Sequence, residues 1–229
     1  MEHKIHTVIF DMDGTLSDST VLTMAALGNI APDYGLPMPP EEAIRRATGN
    51  ANPEFYYILF PEFPKDLIYH MGALVEQEEL TILPSVHDRL LFGGCRELLM
   101  RLKENNIRLY IASTGDKEHV SSVLRVTGIM DLFDRISYGC PDKTEMLREM
   151  TEEGDKNGYI MVGDMKKDYE GARANGIISV GACYGYCRRE LGGFDFYIDT
   201  PLELLQVLHI EEGNFKCFMG DKDAAYNND

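Results

Sequence analysis

The sequence predicts an α/β protein, a doubly wound parallel sheet interrupted after its first strand by a small all-helical insert. Three observations carry that expectation. A strand-sized apolar run, Thr7-Val-Ile-Phe10, stops abruptly at Asp11-Met-Asp-Gly14, the pattern of a buried strand entering a tight turn. The next run of equal quality comes only at 107–112, and the stretch between has helical periodicity and eight prolines. From Gly93-Gly94 onward, strand-length and helix-length segments alternate, which implies βαβ units and a parallel sheet.

Taken in order, residues 4–10 form the first strand, alternating toward an apolar end with Ile5, Val8, Ile9 and Phe10. The insert spans 17–88. Within it, 41–47 follows Pro39-Pro40, and 66–76 carries apolar residues at helical spacing. Prolines at 32, 37, 39, 40, 53, 61, 64 and 84 are expected to cut the region into short helices, because proline fixes φ and lacks an N–H. Tyr56, Tyr57 and Phe60 read as core of this insert. A helix at 95–105, the strand at 107–112, a helix at 117–127 and a strand at 135–138 follow. A helix at 144–153, a strand at 158–162, a helix at 167–175, a strand at 177–180 and a helix at 201–208 complete the pattern. From Glu211 onward the chain is acidic and without periodicity, and is expected to be mobile.

The 229 residues suit one sizeable domain carrying an insertion. A net charge of −16 without any Lys/Arg cluster argues against nucleic acid or an anionic membrane as partner. No apolar run approaches the roughly 20 residues of a membrane helix. Met1-Glu-His-Lys-Ile5 runs straight into a strand with no apolar leader, so a cytoplasmic location is expected. Five cysteines at irregular spacing read as reduced thiols. Cys183 and Cys187 make a lone pair too sparse for a zinc site, and the six histidines are scattered without ligand spacing. Either a monomer or a homodimer is compatible with these features.

Open parallel sheets bind ligands at the carboxyl ends of their strands. The residues just beyond each apolar run are Asp11, Asp13, Gly14 and Thr15; Ser113, Thr114 and Gly115; Lys143; and Asp164, with Asp168 one helical turn on. Any one of these aspartates alone is as well explained as a helix cap or turn former. Together they place several carboxylates on one rim, where they repel unless a cation binds. An all-oxygen set without convergent histidines suits Mg2+ better than zinc.

These residues resemble the four motifs of the haloacid dehalogenase superfamily. Asp11-Met-Asp-Gly-Thr15 is similar to its D-x-D-G-T signature, Ser113 and Lys143 to the second and third motifs, and Gly163-Asp-Met-Lys-Lys-Asp168 to G-D-x-x-x-D. The resemblance covers roughly 5–210, implies a Rossmann-like catalytic core at 1–16 and 89–214, a helical cap at 17–88 and a tail at 215–229. The insert's position, the segment 164–176 and the segment 184–191 most resemble the phosphoglycolate-phosphatase-like branch. That likeness implies Asp11 as nucleophile, Asp13 as general acid and base, and Ser113 and Lys143 as phosphoryl-stabilising groups. It also implies Mg2+ held by Asp11, the backbone carbonyl of Asp13 and Asp164, with Asp168 behind them. Gly14, Thr15, Thr114 and Gly115 would approach the phosphate, while Arg45, Arg46 and the segment 48–52 lie where this branch often contacts substrate. The expected partner is a small phosphorylated metabolite, hydrolysed through an aspartyl-phosphate. A β-phosphoglucomutase-like mutase, a pyrophosphatase and a non-catalytic binding protein remain as alternatives.

Overall fold

The computed structural model describes residues 5–48, 50, 52–152, 154–186 and 192–210. The cysteines at 187 and 217, the segment 187–191 and the tail from 211 lie outside them. The first strand, β1 (Thr7–Phe10), has all four residues buried, as a strand covered on both faces must. Then come α1 (Ser19–Ile30), α2 (Glu41–Ala47), α3 (Glu54–Leu59) and α4 (Lys65–Val86). Beyond them the chain alternates α5 (Cys95–Glu104), β2 (Arg108–Ala112), α6 (Lys117–Val126), β3 (Arg135–Ser137), α7 (Lys143–Met150) and β4 (Tyr159–Gly163). It ends with α8 (Lys166–Asn175), β5 (Ile178–Ala182), β6 (Phe196–Ile198) and α9 (Glu203–Val207).

All six strands are parallel, in the order β3-β2-β1-β4-β5-β6. β1 is therefore the switch point, with β2 on one side and β4 on the other. Phe10 is level with Ile111 and with Val162, so the ends of three strands open at one height. Period-two alternation divides β1 between two cores. Val8 and Phe10 pack with Leu98, Leu102, Val120 and Leu204, whereas Ile9 packs with Met146, Leu147, Met161 and Ala172.

The helices before α5 enclose a separate core of Ala26, Leu27, Ile44, Tyr56, Ile68, Met71 and Val75. Pro40, Pro53 and Pro64 stand at the N-cap positions of α2, α3 and α4. There the missing N–H is no loss, because the first turn of a helix leaves its N–H groups unpaired anyway. α4 runs well past the periodic stretch 66–76 and holds Pro84 inside it. That proline lies in the last turn, where only one helical bond is forfeited, so it fails to break the helix. Gly72 lets α4 meet α3 closely, since a Cβ there would come within 2.5 Å of the Tyr56 ring.

The chain enters and leaves this helical body at one place. Asp18 N–H donates to Leu90 O at 2.7 Å and Phe92 N–H to Leu16 O at 3.1 Å, and Ser17 bridges Leu91 antiparallel. β6 is an element the sequence pattern did not reveal: three residues at the sheet edge are too short for alternation to register. Among the described residues no helix is long and apolar enough to cross a membrane.

Candidate active site

The residues that follow β1, β2 and β4, the first turns of α6 and α8 and the facing sides of α1, α3 and α4 frame a cavity of about 1050 Å³. Asp11 follows β1 directly, its N–H donating to Val162 O at 2.9 Å. Lys143 is the first residue of α7, a helix started by Asp142, whose Oδ1 accepts from the N–H groups of Thr144 and Glu145. That cap drives the lysine inward. Its side chain is 1% exposed, and Nζ donates to Asp11 Oδ1 at 2.6 Å and to Ala112 O, and lies 3.1 Å from Asp168 Oδ1. Burial alone would lower the Lys143 pKa, but Asp11 and Asp168 outweigh it and keep the ammonium charged.

Asp168 is completely buried and caps α8 from within, Oδ2 accepting from the N–H groups of Asp164 at 3.2 Å and Met165 at 2.9 Å. Asp164 accepts from Thr15 Oγ1 at 3.1 Å through Oδ1, whereas its Oδ2 is buried with no hydrogen-bond partner. Gly14, at φ +84°, lies so near this oxygen that a Cβ would collide with the carboxyl. One oxygen from each of Asp11, Asp164 and Asp168 falls within 4.8 Å of the others. Burial raises the Asp11 pKa to about 6, with Lys143 opposing and Asp168 assisting. Burial, then Asp11 and Asp168, raise that of Asp164 well above the ordinary carboxylate range. Three carboxylates against one ammonium, with an orphaned oxygen among them, form a donor set that fits a hard divalent cation.

The Asp13 carboxyl turns away from this group. It accepts from Ser17 Oγ at 3.2 Å and faces His119 Nε2 at 3.2 and 3.3 Å. Burial would push it up, but the charge and hydrogen bond of His119, aided by Ser17 and Ser19, hold it below the ordinary carboxylate range. Burial would lower His119, yet Asp13, with Glu79 and Asp116, raises it to about 9. Ser113, Thr114 and Gly115 line the cavity, with Gly115 N–H donating to Ser113 Oγ at 3.1 Å. Gly14 and Thr15 do not line it. They sit behind the carboxylates, because the Gly14 N–H is spent on Ser17 O at 2.8 Å and the Thr15 hydroxyl on Asp164.

Nor does the structure bring Arg45 and Arg46 to the cavity. Arg45 is paired with Asp18 at 3.1 Å and Glu41 at 2.8 Å and lies over the Tyr186 ring, and Arg46 is 66% exposed beside Glu42. Both are engaged by carboxylates one helical turn earlier, the i,i+4 geometry that α2 offers. Asn50 and Asn52 of the same segment do line the cavity.

Residues 8–182 match the family of haloacid dehalogenase-like hydrolases. The chain is a member of that family. It is 27% identical to the phosphoglycolate phosphatase of Synechococcus elongatus, over 89% of this chain and 97% of that protein. It is 24% identical to the N-acetylmuramic acid 6-phosphate phosphatase of Pseudomonas putida, over 90% of this chain and 96% of that one. A haloacid dehalogenase-like hydrolase from Streptococcus pneumoniae superposes with a TM-score of 0.75 at 25% identity, covering 89% of this chain and 98% of its own.

Two residues of this haloacid dehalogenase-like hydrolase escaped the reading of its sequence. His119 reaches Asp13, and Lys167 lines the cavity with its Nζ 2.8 Å from Thr114 Oγ1. Each sits in the first turn of a helix that opens from the reactive sheet edge, three residues after an aspartate (Asp116 and Asp164). That spacing was the available signal.

Proposed function

We propose that this chain is a Mg2+-dependent phosphomonoester hydrolase that transfers the phosphoryl group of a small metabolite to Asp11 and then to water. The observation that carries the reading is the division of two carboxylates two residues apart. Asp11 belongs to the buried cation-suited group with Asp164 and Asp168, whereas Asp13 stands outside it on the cavity wall. A nucleophile and a separate proton carrier are what a two-step hydrolysis requires. Two relatives bear phosphatase names, which supports the same chemistry.

Mg2+ would be held by Asp11, the backbone carbonyl of Asp13 and Asp164, with Asp168 behind them, and when bound it would offset the negative charge that otherwise bars one anion from another. The protein's own groups do the rest. Lys143 holds Asp11 by one oxygen, leaving the other for attack on phosphorus. Ser113 and Lys167 stand on the cavity side to receive non-bridging oxygens. Asp13 gives a proton to the departing oxygen and then takes one from the attacking water.

Among the described residues the wall of the cavity formed by α3 and α4 offers Tyr56, His70, Glu76, Gln77 and Glu79, two carboxyls against one imidazole, with no arginine or lysine. Such a wall favours a hydroxyl-rich remainder over a second carboxylate, hence a sugar phosphate over phosphoglycolate. Phosphate release across a panel holding both, with Mg2+ and with excess chelator, tests these points. Activity that persists in chelator removes the metal, and a preference for phosphoglycolate reverses the substrate order. Conversion of β-glucose 1-phosphate to glucose 6-phosphate with little free phosphate would replace the hydrolase with a mutase.

A further inference from the structure

A carboxyl that must hand over a proton has to keep one orientation relative to the departing oxygen, yet a lone aspartate rotates about two side-chain torsions. Asp13 stands on the turn after β1, and the near chain supplies hydroxyls, Ser17 Oγ donating to Oδ1 at 3.2 Å. A second hold comes from 106 residues away, where His119 Nε2 lies 3.2 Å from Oδ1 and 3.3 Å from Oδ2. A carboxylate only accepts, so Nε2 carries the hydrogen and spans both oxygens. His119 is itself fixed. Its backbone N–H donates to the helix-capping Asp116 Oδ1 at 2.9 Å, and its ring edge lies where a Cβ at Gly115 would meet it at 3.4 Å. Ser113 begins the same turn. One rigid turn-and-helix thus carries both the hydroxyl aimed at the cavity and the anchor of Asp13.

We propose that His119 is a positioning residue that locks the Asp13 carboxyl in the orientation needed to protonate the leaving oxygen. The inference rests on the hydrolase reading above, in which Asp13 is the acid. Asp13, a carboxylate in the resting site, first takes a proton from solvent on one oxygen. As the bond from phosphorus to the ester oxygen breaks and the bond to Asp11 forms, that proton passes to the ester oxygen and Asp13 returns to the carboxylate. His119 keeps its own N–H throughout and acts only through Asp13.

The test compares two esters at saturating Mg2+: p-nitrophenyl phosphate, whose phenolate departs without a proton, and the alkyl phosphomonoester cleaved fastest in the panel. The quantity is kcat/KM, which reports only the first transfer and excludes the later hydrolysis of the aspartyl-phosphate. His119→Leu is expected to lower kcat/KM about 10²-fold for the alkyl ester and less than about fivefold for the aryl ester. His119→Gln, which keeps an N–H donor, should recover much of the alkyl activity. Equal losses on both esters, or no loss on either, would overturn the inference while leaving the hydrolase reading intact. If the leucine variant does not fold, His119→Asn, whose shorter amide cannot span both oxygens, is judged by the same ratio. A parent chain that releases no phosphate from either ester would bring down the hydrolase reading and this inference together.

Discussion

Asp11 and Lys143 are joined by a 2.6 Å contact between side chains 8% and 1% exposed, so substitutions at the two should behave differently. Asp11→Asn keeps the shape and leaves the lysine paired with Asp168; it should fold normally by circular dichroism while phosphate release falls at least about a thousandfold. Lys143→Ala strands Asp11 and Asp168 without their counter-charge. Unfolding by urea should then show a loss of about 3–5 kcal/mol, the range for breaking a buried pair. The metal-free site also has a pH signature. Asp11 titrates near 6 in the folded chain against 3.8 ordinarily. A raised carboxyl pKa gives stability that is full below the ordinary value and is lost as pH rises through the folded one. The metal-free chain should therefore weaken from about pH 4 to 6, and Mg2+ should raise the melting temperature more at about pH 8 than at about pH 5. An increment equal at both would mean that no proton is displaced by the ion.

The helices that open from the reactive edge owe their starting points to single side chains. Asp142 accepts from Thr144 N–H at 2.9 Å and Glu145 N–H at 3.4 Å, and Lys143 lies within that capped turn. Asp142→Ala should cost about 1 kcal/mol in urea unfolding, and phosphate release should fall further than that stability loss accounts for, because the lysine loses its fixed origin. These elements also mark how far the sequence was legible. β1, β2 and β4 could be read because an apolar run ending in Asp or Ser is a local pattern, and Asp11, Ser113 and Asp164 came with them. β6 and the full length of α4 could not, since an edge strand of three residues has no period and Pro84 looks like a breaker unless the helix end is known. His119 could not be assigned to Asp13 because their contact joins α6 to the β1 turn across 106 positions. Arg45 was misleading for a related reason: its partner Asp18 lies 27 positions away, outside α2.

At the scale of the whole molecule, the net charge of −16 opposes the approach of an anionic substrate until it reaches the cavity. Raising salt from low ionic strength toward about 0.15 M shortens the reach of that repulsion to about 8 Å. With Mg2+ kept saturating, kcat/KM for a phosphomonoester dianion should rise over this range, and a fall would indicate that local cations already govern the encounter. The paired crossings at 16–18 and 90–92 bear on size in another way. Seen from the sheet, the backbone steps from Leu16 to Phe92 across a single 3.1 Å hydrogen bond, as if the α1–α4 body were a short detour. Once the mouth of a detour is tied, doubling its contour adds only about 0.6 kcal/mol of closure entropy. Lengthening or trimming that body is therefore a change the six strands barely register, and they are left free to keep one reactive edge while what stands above it varies.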